Sequence, residues 1–464
     1  MAATTIETGV EPDRELATIV TIKKIMKMPD CDNIELVGFV EQMWECVVKI
    51  GDFHVGDLAI YFSIDSILDS NPKTEFLKGE RLKTRKIRGK YSQGLAAPLD
   101  WLKDYECGRD ISTFKPGDDV TSIMKVKKYV GKDNEHLYKG TSTFPSNIVP
   151  KTDEERIQKS LPEIQALISY NPIVTITKKF DGTSFTAIWM FKDQKESFIT
   201  CSRNHILVKK ETDGSGNPIP IDPTPSDEAS SSTPSSSTPG EKQPPTDNKK
   251  TLFSQQKQQR SKQRKRNYKG KKSGKSEITE SNSETNSNSE TNSESKSKSN
   301  HYEVISEKYD LETRMHLLGK NIAIQGEICG PKINGNRHKR TDKDGFDFFV
   351  YNIWDIDQQY YLPFKDVLNI TKILGLKMVD CMWHGPFNTF VHNELGVVFG
   401  QENEISYADL ANEVYDKLLE HADKIEYKKN VPAEGYVVKT DSDKSDKRIS
   451  FKCISNKYLL KQDQ

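Results

Sequence analysis

TKKFDGTSF occupies residues 177–185 and contains the spacing K-x-D-G, formed by Lys179, Asp181 and Gly182. Apolar, β-branched runs flank it on both sides, PIVTITKKF before and SFTAIWMF after, so we expect it to join two strands. K-x-D-G alone is a weak signal, because the charged turn of an ordinary hairpin gives the same string. The rest of the chain must distinguish a turn from a reactive lysine.

Further strings follow in order downstream of Lys179, each in or beside a strand-like run. They are CSRN with Arg203, QGEI with Glu327, FFVYNI with Tyr351, EGYVVK with Glu434 and Lys439, and SFKCI with Lys452. Basic, acidic and aromatic side chains of these kinds bind phosphates, metal ions and bases respectively. Their order, more than any one string, weighs against an ordinary charged turn at Lys179.

At these residues the sequence resembles the covalent nucleotidyltransferase superfamily of polynucleotide ligases and capping enzymes. Within it, the chain looks like the Deinococcus-type RNA ligases, on the strings LKTRKIRGKYSQGLAAPL (82–99), PKTDEERIQ (150–158) and SFKCISNKYLL (450–460). The resemblance implies an α+β nucleotidyltransferase fold, an ATP-grasp-like ligase core of antiparallel sheets with flanking helices, preceded by an all-β OB-like barrel. Twelve residues follow Lys452, so the C-terminal OB domain usual in DNA ligases and capping enzymes is not expected.

The resemblance also implies roles for individual residues. Lys179 would be the catalytic nucleophile that attacks the α-phosphorus of ATP and forms lysyl-AMP. The implied nucleotide-binding residues are Lys178, Asp181, Gly182, Arg203, Glu327, Tyr351, Lys439 and Lys452. The implied ligands for Mg²⁺ or Mn²⁺ are Glu434, Asp181 and Glu327, since hard cations prefer carboxylate oxygens. Because the attacking amine must be neutral, we expect burial, Lys178, Lys452 or the metal to lower the pKa of Lys179.

Several of these positions have ordinary alternatives. Lys178 fits an exposed strand lysine, and Arg203 fits a surface arginine at a strand end. Phe349 points the same way as Tyr351 by the period of two, so it is a rival for stacking on adenine. Asn352 stands where many relatives have Asp, which leaves a charged role at that position open.

The N-terminal part is β-rich. Runs such as LATIVTIKKI, ELVGFV, WECVVKI and LAIYFSI alternate with turn signals, which favours an OB-like domain over residues 15–145, with a β-sandwich as the alternative. Residues 1–14 are expected to be disordered. Basic residues interleaved with an aromatic in LKTRKIRGKYSQG are expected to bind nucleic acid, or else to form a solvated loop; they are Arg85, Lys86, Arg88 and Tyr91.

The predicted nucleotidyltransferase domain spans residues 146–464 and is interrupted. Residues 210–300 contain only seven apolar side chains, too few for a core, so we expect a disordered insertion. The basic run at 257–275 fits a solubilising linker, a phosphate-binding arm or a nuclear-localisation patch. Elsewhere, capping boxes at Thr152 and Ser160 predict a helix in two pieces over residues 152–169, and SYADLANEVYDKLLEHADKI predicts another.

Composition excludes other classes. The chain has 464 residues, of which 68 are basic and 68 acidic, and no apolar run approaches the length of a membrane span. Seven scattered cysteines without zinc spacing indicate reduced thiols inside the cell. We therefore expect an intracellular monomer, cytoplasmic or nuclear, that does not bind membranes.

The function that these observations favour is an ATP-dependent RNA ligase acting in RNA repair. It would join 3′-OH and 5′-phosphate ends, as in a nicked duplex, with ATP and Mg²⁺ or Mn²⁺ as cofactors. The alternatives are a DNA ligase, a capping guanylyltransferase, or a catalytically inactive RNA-binding relative.

Replacing residues 210–300 with a short Gly/Ser linker is expected to preserve formation of the protein–AMP adduct, because the segment lacks a core and interrupts a domain that carries all the motifs. RNA binding should become less salt-sensitive, since the ten Lys and Arg of the run at 257–275 leave with the segment. Labelling with radioactive ATP checks the first result. Loss of labelling or of solubility would show that the segment packs against the domain.

Overall fold

The computed structural model describes residues 15–106, 108–129, 143–152, 154–207, 300–331, 333–334, 345–399, 406–441 and 448–462. The expectations for residues 1–14 and for the basic run at 257–275 lie outside these ranges, as does the insertion up to residue 299. No helix among the described residues is both long and apolar enough to cross a bilayer. The predicted location and monomeric state stay predictions.

The N-terminal region consists of short strands, because β-branched and aromatic residues alternate with turns there. The strands are β1 (Ala17–Lys27), β2 (Ile34–Phe39), β3 (Glu45–Lys49), β4 (Leu58–Phe62), β5 (Ser66–Ile67), β6 (Thr84–Ile87), β7 (Lys90–Gln93), β8 (Leu95–Pro98) and β9 (Lys127–Lys128). Five of them form an antiparallel sheet in the order β3-β2-β1-β4-β8. Its edge strand β3 is bonded to β7, where Val47 N donates to Ser92 Oγ at 3.0 Å. The sheet thereby closes almost into a barrel.

The second region alternates helices and strands. Its elements are β10 (Glu155–Arg156), α1 (Leu161–Tyr170), β11 (Ile173–Lys179), β12 (Thr183–Lys192), β13 (Lys195–Cys201), β14 (Ile206–Leu207), α2 (His301–Lys308), α3 (Leu311–Leu318), β15 (Ile322–Cys329), β16 (Asp347–Asp355), β17 (Tyr360–Tyr361), α4 (Phe364–Ile373), β18 (Lys377–Met378), β19 (Cys381–Pro386), α5 (Phe387–Leu395), α6 (Tyr407–Ala422), β20 (Glu426–Lys428), β21 (Val431–Pro432), β22 (Gly435–Thr440), β23 (Ser450–Ile454) and α7 (Asn456–Gln462).

Two sheets organise this region. Sheet one has the order β10-β23-β22-β11-β19, and sheet two has the order β14-β13-β12-β15-β16-β17 with β18 parallel to β16. Buried side chains of sheet one pack with α1, α5 and α6, as Val174, Leu167 and Leu418 do. Sheet two packs with α2, α3 and α4 in a second core. Each sheet has one face against helices, which leaves the other faces for a site.

The first half of the predicted helix at 152–169 is wrong. Glu155 and Arg156 form β10, which pairs in parallel with Phe451 and Lys452 of β23. The edge of β23 supplies backbone hydrogen bonds that a local capping signal cannot reveal. Helix α1 confirms the second half, although the Ser160 side chain makes no cap hydrogen bond. Helix α6 begins as predicted, with Asp409 N donating to Ser406 Oγ at 3.1 Å.

The N-terminal barrel contacts the second region through a small polar and apolar interface. Met43 N donates to Gln158 O at 2.8 Å, and Tyr415 OH donates to Met43 O at 3.3 Å. The Arg156 guanidinium lies 5.7 Å from the ring centre of buried Trp44. A fragment beginning near Ser146 would lose all these partners, so substitutions within the full chain test the barrel's role better than truncation does.

Candidate active site

The K-x-D-G string is a crossover between the two sheets. Lys179 ends β11 in sheet one, and Thr183 begins β12 in sheet two. The two strands do not pair with each other, so the alternative of a charged hairpin turn is wrong. A Cβ on Gly182 would lie 2.3 Å from Ile328 O, so only glycine fits where this crossover passes β15.

Aromatic packing fixes the crossover. Phe180 is buried, and its ring centre lies 4.9 Å from that of Phe349 and 5.6 Å from that of Tyr427, both edge-on. Tyr427 OH also donates to Lys179 O, while Glu434 N donates to Tyr427 OH at 3.3 Å. One tyrosine therefore links the backbones of Lys179 and Glu434. No sequence motif pointed to Tyr427.

Three carboxylates surround the Lys179 amine. Lys179 Nζ lies 2.8 Å from Glu434 Oε1, and Glu327 and Asp181 interact with it electrostatically. Glu434 is brought there because Gly435 pairs with Lys179 across β11 and β22. A Cβ on Gly435 would lie 1.9 Å from Cys453 O, so glycine is required beside β23 as well.

The electrostatics of this cluster correct one expectation. Burial by itself lowers the pKa of Lys179, but the charges of Glu434, Glu327 and Asp181 outweigh burial and raise that pKa. The expected lowering by Lys178 and Lys452 is therefore wrong for the chain without ligands. Burial, with Glu434 and Asp181 nearby, raises the pKa of Glu327 to about 8 against the opposing charges of Lys179 and Arg203. Three acidic side chains thus surround one ammonium, and burial favours the protonated form of Glu327.

Asp181 is buried and held from two sides. Tyr458 OH donates to its Oδ2, and Asn334 Nδ2 donates to its Oδ1 at 2.6 Å. Burial and the charge of Glu434 raise the pKa of Asp181. Tyr458 and Asn334 had no assigned role in the sequence, although Tyr458 lies in the string SFKCISNKYLL.

Lys178 points away from the cluster. Its Nζ donates to Glu426 O at 2.7 Å and lies 3.5 Å from Asp380 Oδ2. Successive residues of a strand point to opposite faces, so Lys178 and Lys179 cannot share a pocket. The structure gives no support to its predicted nucleotide contact.

Tyr351 lies at a β-bulge. Gln325 of β15 pairs with Asn352 and Gly326 pairs with Val350, which leaves Tyr351 as the extra residue. As a result Tyr351 and Asn352 both line a cavity with Thr177 and Lys439. Phe349 is instead buried against Phe180, which disfavours it as the stacking residue.

Lys439 is the buried cation of that cavity. Its Nζ donates to Tyr351 O at 3.0 Å and to Asn352 Oδ1 at 2.9 Å. Burial, with the charge of Arg448 nearby, lowers the pKa of Lys439 to about 7. Asn352 thus accepts a hydrogen bond through its neutral amide oxygen, and Lys439 holds the backbone of Tyr351 through the carbonyl oxygen of that residue.

The other predicted residues lie at the margin of the cluster. Lys452 of β23 pairs with Val437 of β22, which in turn pairs with Thr177 of β11. Because paired residues share a face, Lys452 lies on the face of the sheet that carries Thr177 and Lys179. Arg203 is exposed, yet its charge lowers the pKa of Glu327. The basic and aromatic residues of the barrel lie elsewhere, in or between β6 and β7.

Two parts of the chain match models of known protein families. A family model described as an OB-fold domain matches residues 16–99, and one described as RNA ligase matches residues 259–454. Along the chain, the match to an OB-fold domain therefore precedes the match to an RNA ligase. The RNA ligase match includes Glu327, Tyr351, Glu434 and Lys452 but begins after Lys179. A search of curated proteins finds no match.

Solved structures support the same fold for the RNA ligase domain and its OB-fold partner. The chain matches a Naegleria gruberi RNA ligase variant with ATP and manganese at 24% identity and a TM-score of 0.62, covering 97% of this chain and 100% of that one. An apo variant of that ligase matches at 24% identity and a TM-score of 0.63, covering 97% of this chain and 99% of that one. The ligase with pyrophosphate matches at 24% identity and a TM-score of 0.62, covering 97% of this chain and 100% of that one. The predicted combination of an OB-like barrel with a ligase core is confirmed.

Proposed function

We propose that this chain is an ATP-dependent RNA ligase that joins 3′-OH and 5′-phosphate ends through a lysyl-AMP intermediate. The observation that carries the proposal is the Lys179 amine, 2.8 Å from Glu434 Oε1 at the crossover between two sheets. A lysine in a partly buried acidic pocket is placed to be a nucleophile toward a phosphate whose charge is neutralised. The RNA ligase family match supports the substrate class.

The first step forms a bond between Lys179 Nζ and the α-phosphorus of ATP. The bond from that phosphorus to the oxygen bridging the β-phosphate breaks, and pyrophosphate leaves. The ammonium proton must pass to a nearby carboxylate or to solvent beforehand, because only the neutral amine has a lone pair. A second proton leaves the nitrogen in the same way as the N–P bond forms. The Naegleria ligase has been solved with ATP and with pyrophosphate, the reactant and product of such a step.

Two phosphoryl transfers complete the cycle. An oxygen of the RNA 5′-phosphate attacks the lysyl-AMP phosphorus, which frees Lys179 and leaves AMP linked to the RNA end. The 3′-OH then attacks the phosphorus of that end and displaces AMP. Arg203 and Lys452, near the same pocket, are the proposed contacts to the phosphates.

The adenine is proposed to occupy the cavity beside Tyr351. Thr177 lines this cavity and lies two residues from Lys179, roughly 7 Å along the strand. That separation suits a nucleotide whose α-phosphate is at Lys179. Tyr351 offers a flat ring for stacking, and the main-chain and Asn352 contacts of Lys439 hold the strand that presents it.

Glu434, Glu327 and Asp181 fit a divalent cation by their chemistry, since all three offer hard oxygen donors. Among the described residues no group of three His, Cys, Asp or Glu side chains stands ready to hold a metal. Mg²⁺ and similar ions need no such group where ATP phosphates and one or two carboxylates share the ion. A bound ion would supply positive charge that favours the neutral amine and stabilises the transferring phosphoryl group. The Naegleria ligase structures hold manganese with ATP or AMP.

The β6–β7 hairpin of the barrel is the proposed RNA contact. Arg85, Lys86 and Arg88 are exposed, and Lys86 Nζ lies 5.5 Å from the ring centre of Tyr91. A cluster of exposed cations beside an aromatic binds the backbone of nucleic acid and can stack a base. The nicked duplex is the proposed RNA form.

Neutralising this hairpin with Arg85→Gln, Lys86→Gln and Arg88→Gln is expected to slow nick sealing at least tenfold at physiological salt. Adenylylation should stay within about threefold of wild type, because lysyl-AMP formation requires no RNA. The slope of log binding constant against log salt should flatten by up to about 2.7, or 0.9 per lost phosphate contact. Filter binding over a salt series and single-turnover sealing measure both effects.

A matched control removes the same charge elsewhere on the barrel. Lys23→Gln, Lys27→Gln and Lys49→Gln change three exposed lysines of β1 and β3. Equal effects from the two triple variants would contradict a specific role for the hairpin.

The function itself is tested by incubating the wild-type chain with labelled ATP or GTP and Mn²⁺. We expect a label on the protein with ATP that survives denaturation and alkali but is released by acid, as the P–N bond of lysyl-AMP requires, and that chases into a nicked duplex whose 3′-OH strand is RNA. Label from GTP alone would indicate a capping enzyme, and preferential sealing of a DNA 3′-OH strand would indicate a DNA ligase. No label from either nucleotide would overturn the proposal in favour of an inactive relative.

A further inference from the structure

The carboxylate of Asp181 is held by a residue from the far end of the chain. Tyr458 belongs to α7, is 5% exposed, and its hydroxyl donates to Asp181 Oδ2. The second oxygen accepts from Asn334 Nδ2 at 2.6 Å, and the same amide donates to Gly182 O at 2.9 Å. Both oxygens of Asp181 therefore have a fixed donor, which sets the plane of the carboxylate.

Helix α7 is itself anchored at its start. Ser455 Oγ donates to Asp423 Oδ1 at 2.8 Å, and Lys457 N donates to the same oxygen at 3.1 Å. Tyr458 N donates to Ser455 Oγ at 3.1 Å. Ser455 directly follows β23, the strand that carries Lys452. These hydrogen bonds hold the first turn of α7, and with it the Tyr458 hydroxyl, in one position.

The barrel reaches the same helix. Gln93 Nε2, at the end of β7, donates to Asn456 Oδ1 at 3.1 Å, and both side chains are buried. Asn456 and Tyr458 lie within one turn of α7. A single short helix therefore touches the hairpin of the barrel on one side and Asp181 on the other.

We propose that Tyr458 is a positioning residue for Asp181, and that α7 forms part of the nucleotide site through this hydrogen bond. The inference rests on the proposed function, in which Asp181 contacts the nucleotide or its metal. A carboxylate that can rotate loses part of its affinity for a bound group, because the productive orientation must then be selected from several. Tyr458 removes that freedom through its hydrogen bond to Asp181.

The test is Tyr458→Phe in the full chain, which deletes only the hydroxyl. We expect the affinity for α,β-methylene-ATP in the presence of Mn²⁺, measured by titration calorimetry, to fall about tenfold. The rate of lysyl-AMP formation from ATP should fall at least as much. The analogue cannot be cleaved between its α- and β-phosphorus atoms, so its binding is measured independently of catalysis.

Tyr436→Phe is the matched control. Tyr436 is fully buried on β22 of sheet one, and its hydroxyl donates to Leu418 O at 2.8 Å in the helix-packed core. This variant also deletes one buried hydrogen bond, yet we expect its analogue affinity to stay within twofold of wild type. If both variants lose affinity equally, the effect is general destabilisation and the proposal is wrong.

A double variant separates positioning from structure. In an Asp181→Asn background, Tyr458→Phe should change the affinity less than twofold, because the residue acts through Asp181. Effects that multiply in the double variant would overturn the proposal, as would wild-type affinity in Tyr458→Phe alone.

Asn334→Gly provides a second route if Tyr458→Phe folds poorly. Asn334 is exposed and has φ of 44°, so glycine keeps the backbone unstrained while the amide donor is lost. We expect a smaller loss of analogue affinity in the same direction, and an unchanged affinity would contradict the need to hold Asp181. A wild-type chain that binds the analogue but forms no adduct refutes the proposed function alone. A wild-type chain that does not bind the analogue refutes both.

Discussion

Replacing Lys179 with alanine is expected to abolish the covalent protein–AMP adduct, with labelling at least a thousandfold below wild type. The side chain supplies the only atom that forms the bond to the α-phosphorus in the proposed mechanism, and alanine has no substitute for it. The measurement is protein-bound label that survives denaturation and alkali after incubation with Mn²⁺ and ATP labelled at its α-phosphate. The melting temperature should change little, because burial already raises the pKa of Glu327 and of Asp181, so both carboxyl groups can take up a proton once the ammonium is lost.

Lys178→Ala is the matched control for this experiment. It removes an adjacent lysine of the same strand whose amine bonds to Glu426 O on the opposite face. We expect labelling within about threefold of wild type. Full labelling of Lys179→Ala would disprove the nucleophile, and loss of labelling in both variants would show that Lys178 also reaches the nucleotide.

Glu434→Gln is expected to slow adenylylation by about a thousandfold, equivalent to about 4 kcal/mol in the activation free energy. Glutamine keeps the size of the side chain but removes the charge that is proposed to hold the divalent cation beside Lys179. Single-turnover rates at a series of Mn²⁺ concentrations measure the effect. If the glutamate binds the metal, higher Mn²⁺ should restore part of the rate.

Glu426→Gln controls for loss of a nearby carboxylate. Glu426 lies on β20, and its Oε2 accepts from Asn430 N at 2.9 Å, outside the cluster. Its rate should stay near that of wild type. A Glu434→Gln rate within tenfold of wild type, with an unchanged dependence on Mn²⁺, would show that the carboxylate is a structural partner of Lys179 only.

Much of the site was predictable because its residues occur in short, ordered strings. Lys179, Glu327 and Glu434 were each identified from a strand-end motif, and the structure brings all three together. Two of these motifs are recognisable because the chain needs a glycine in each, at Gly182 three residues after Lys179 and at Gly435 directly after Glu434. At both positions a Cβ would collide with a neighbouring strand. Strand periodicity also predicted the barrel strands β1 to β4 closely.

Other features depended on contacts far apart in the chain. Residues 155–156 form a strand because β23, which is distant in the sequence, supplies their backbone hydrogen bonds. This pairing outweighs the local sequence pattern that predicted a helix. The period of two predicted that Phe349 and Tyr351 lie on the same face of the strand. In the structure, packing on Phe180 buries Phe349, and the β-bulge leaves Tyr351 at the cavity. The direction of the Lys179 pKa shift likewise required knowing how many carboxylates surround the amine.

By itself, the sequence determined the order of the motifs and the arrangement of a barrel before a ligase core, and it predicted Lys179 as the nucleophile. Each of these follows from local patterns of residue type and spacing. Only the tertiary structure decided that Lys178 faces away, that Tyr427 joins the backbones of Lys179 and Glu434, and that Tyr458 holds Asp181. The physical reason is that hydrogen bonds and charge interactions depend on distances between atoms. Asp181 and Tyr458 are 277 positions apart in the chain, yet they share one hydrogen bond.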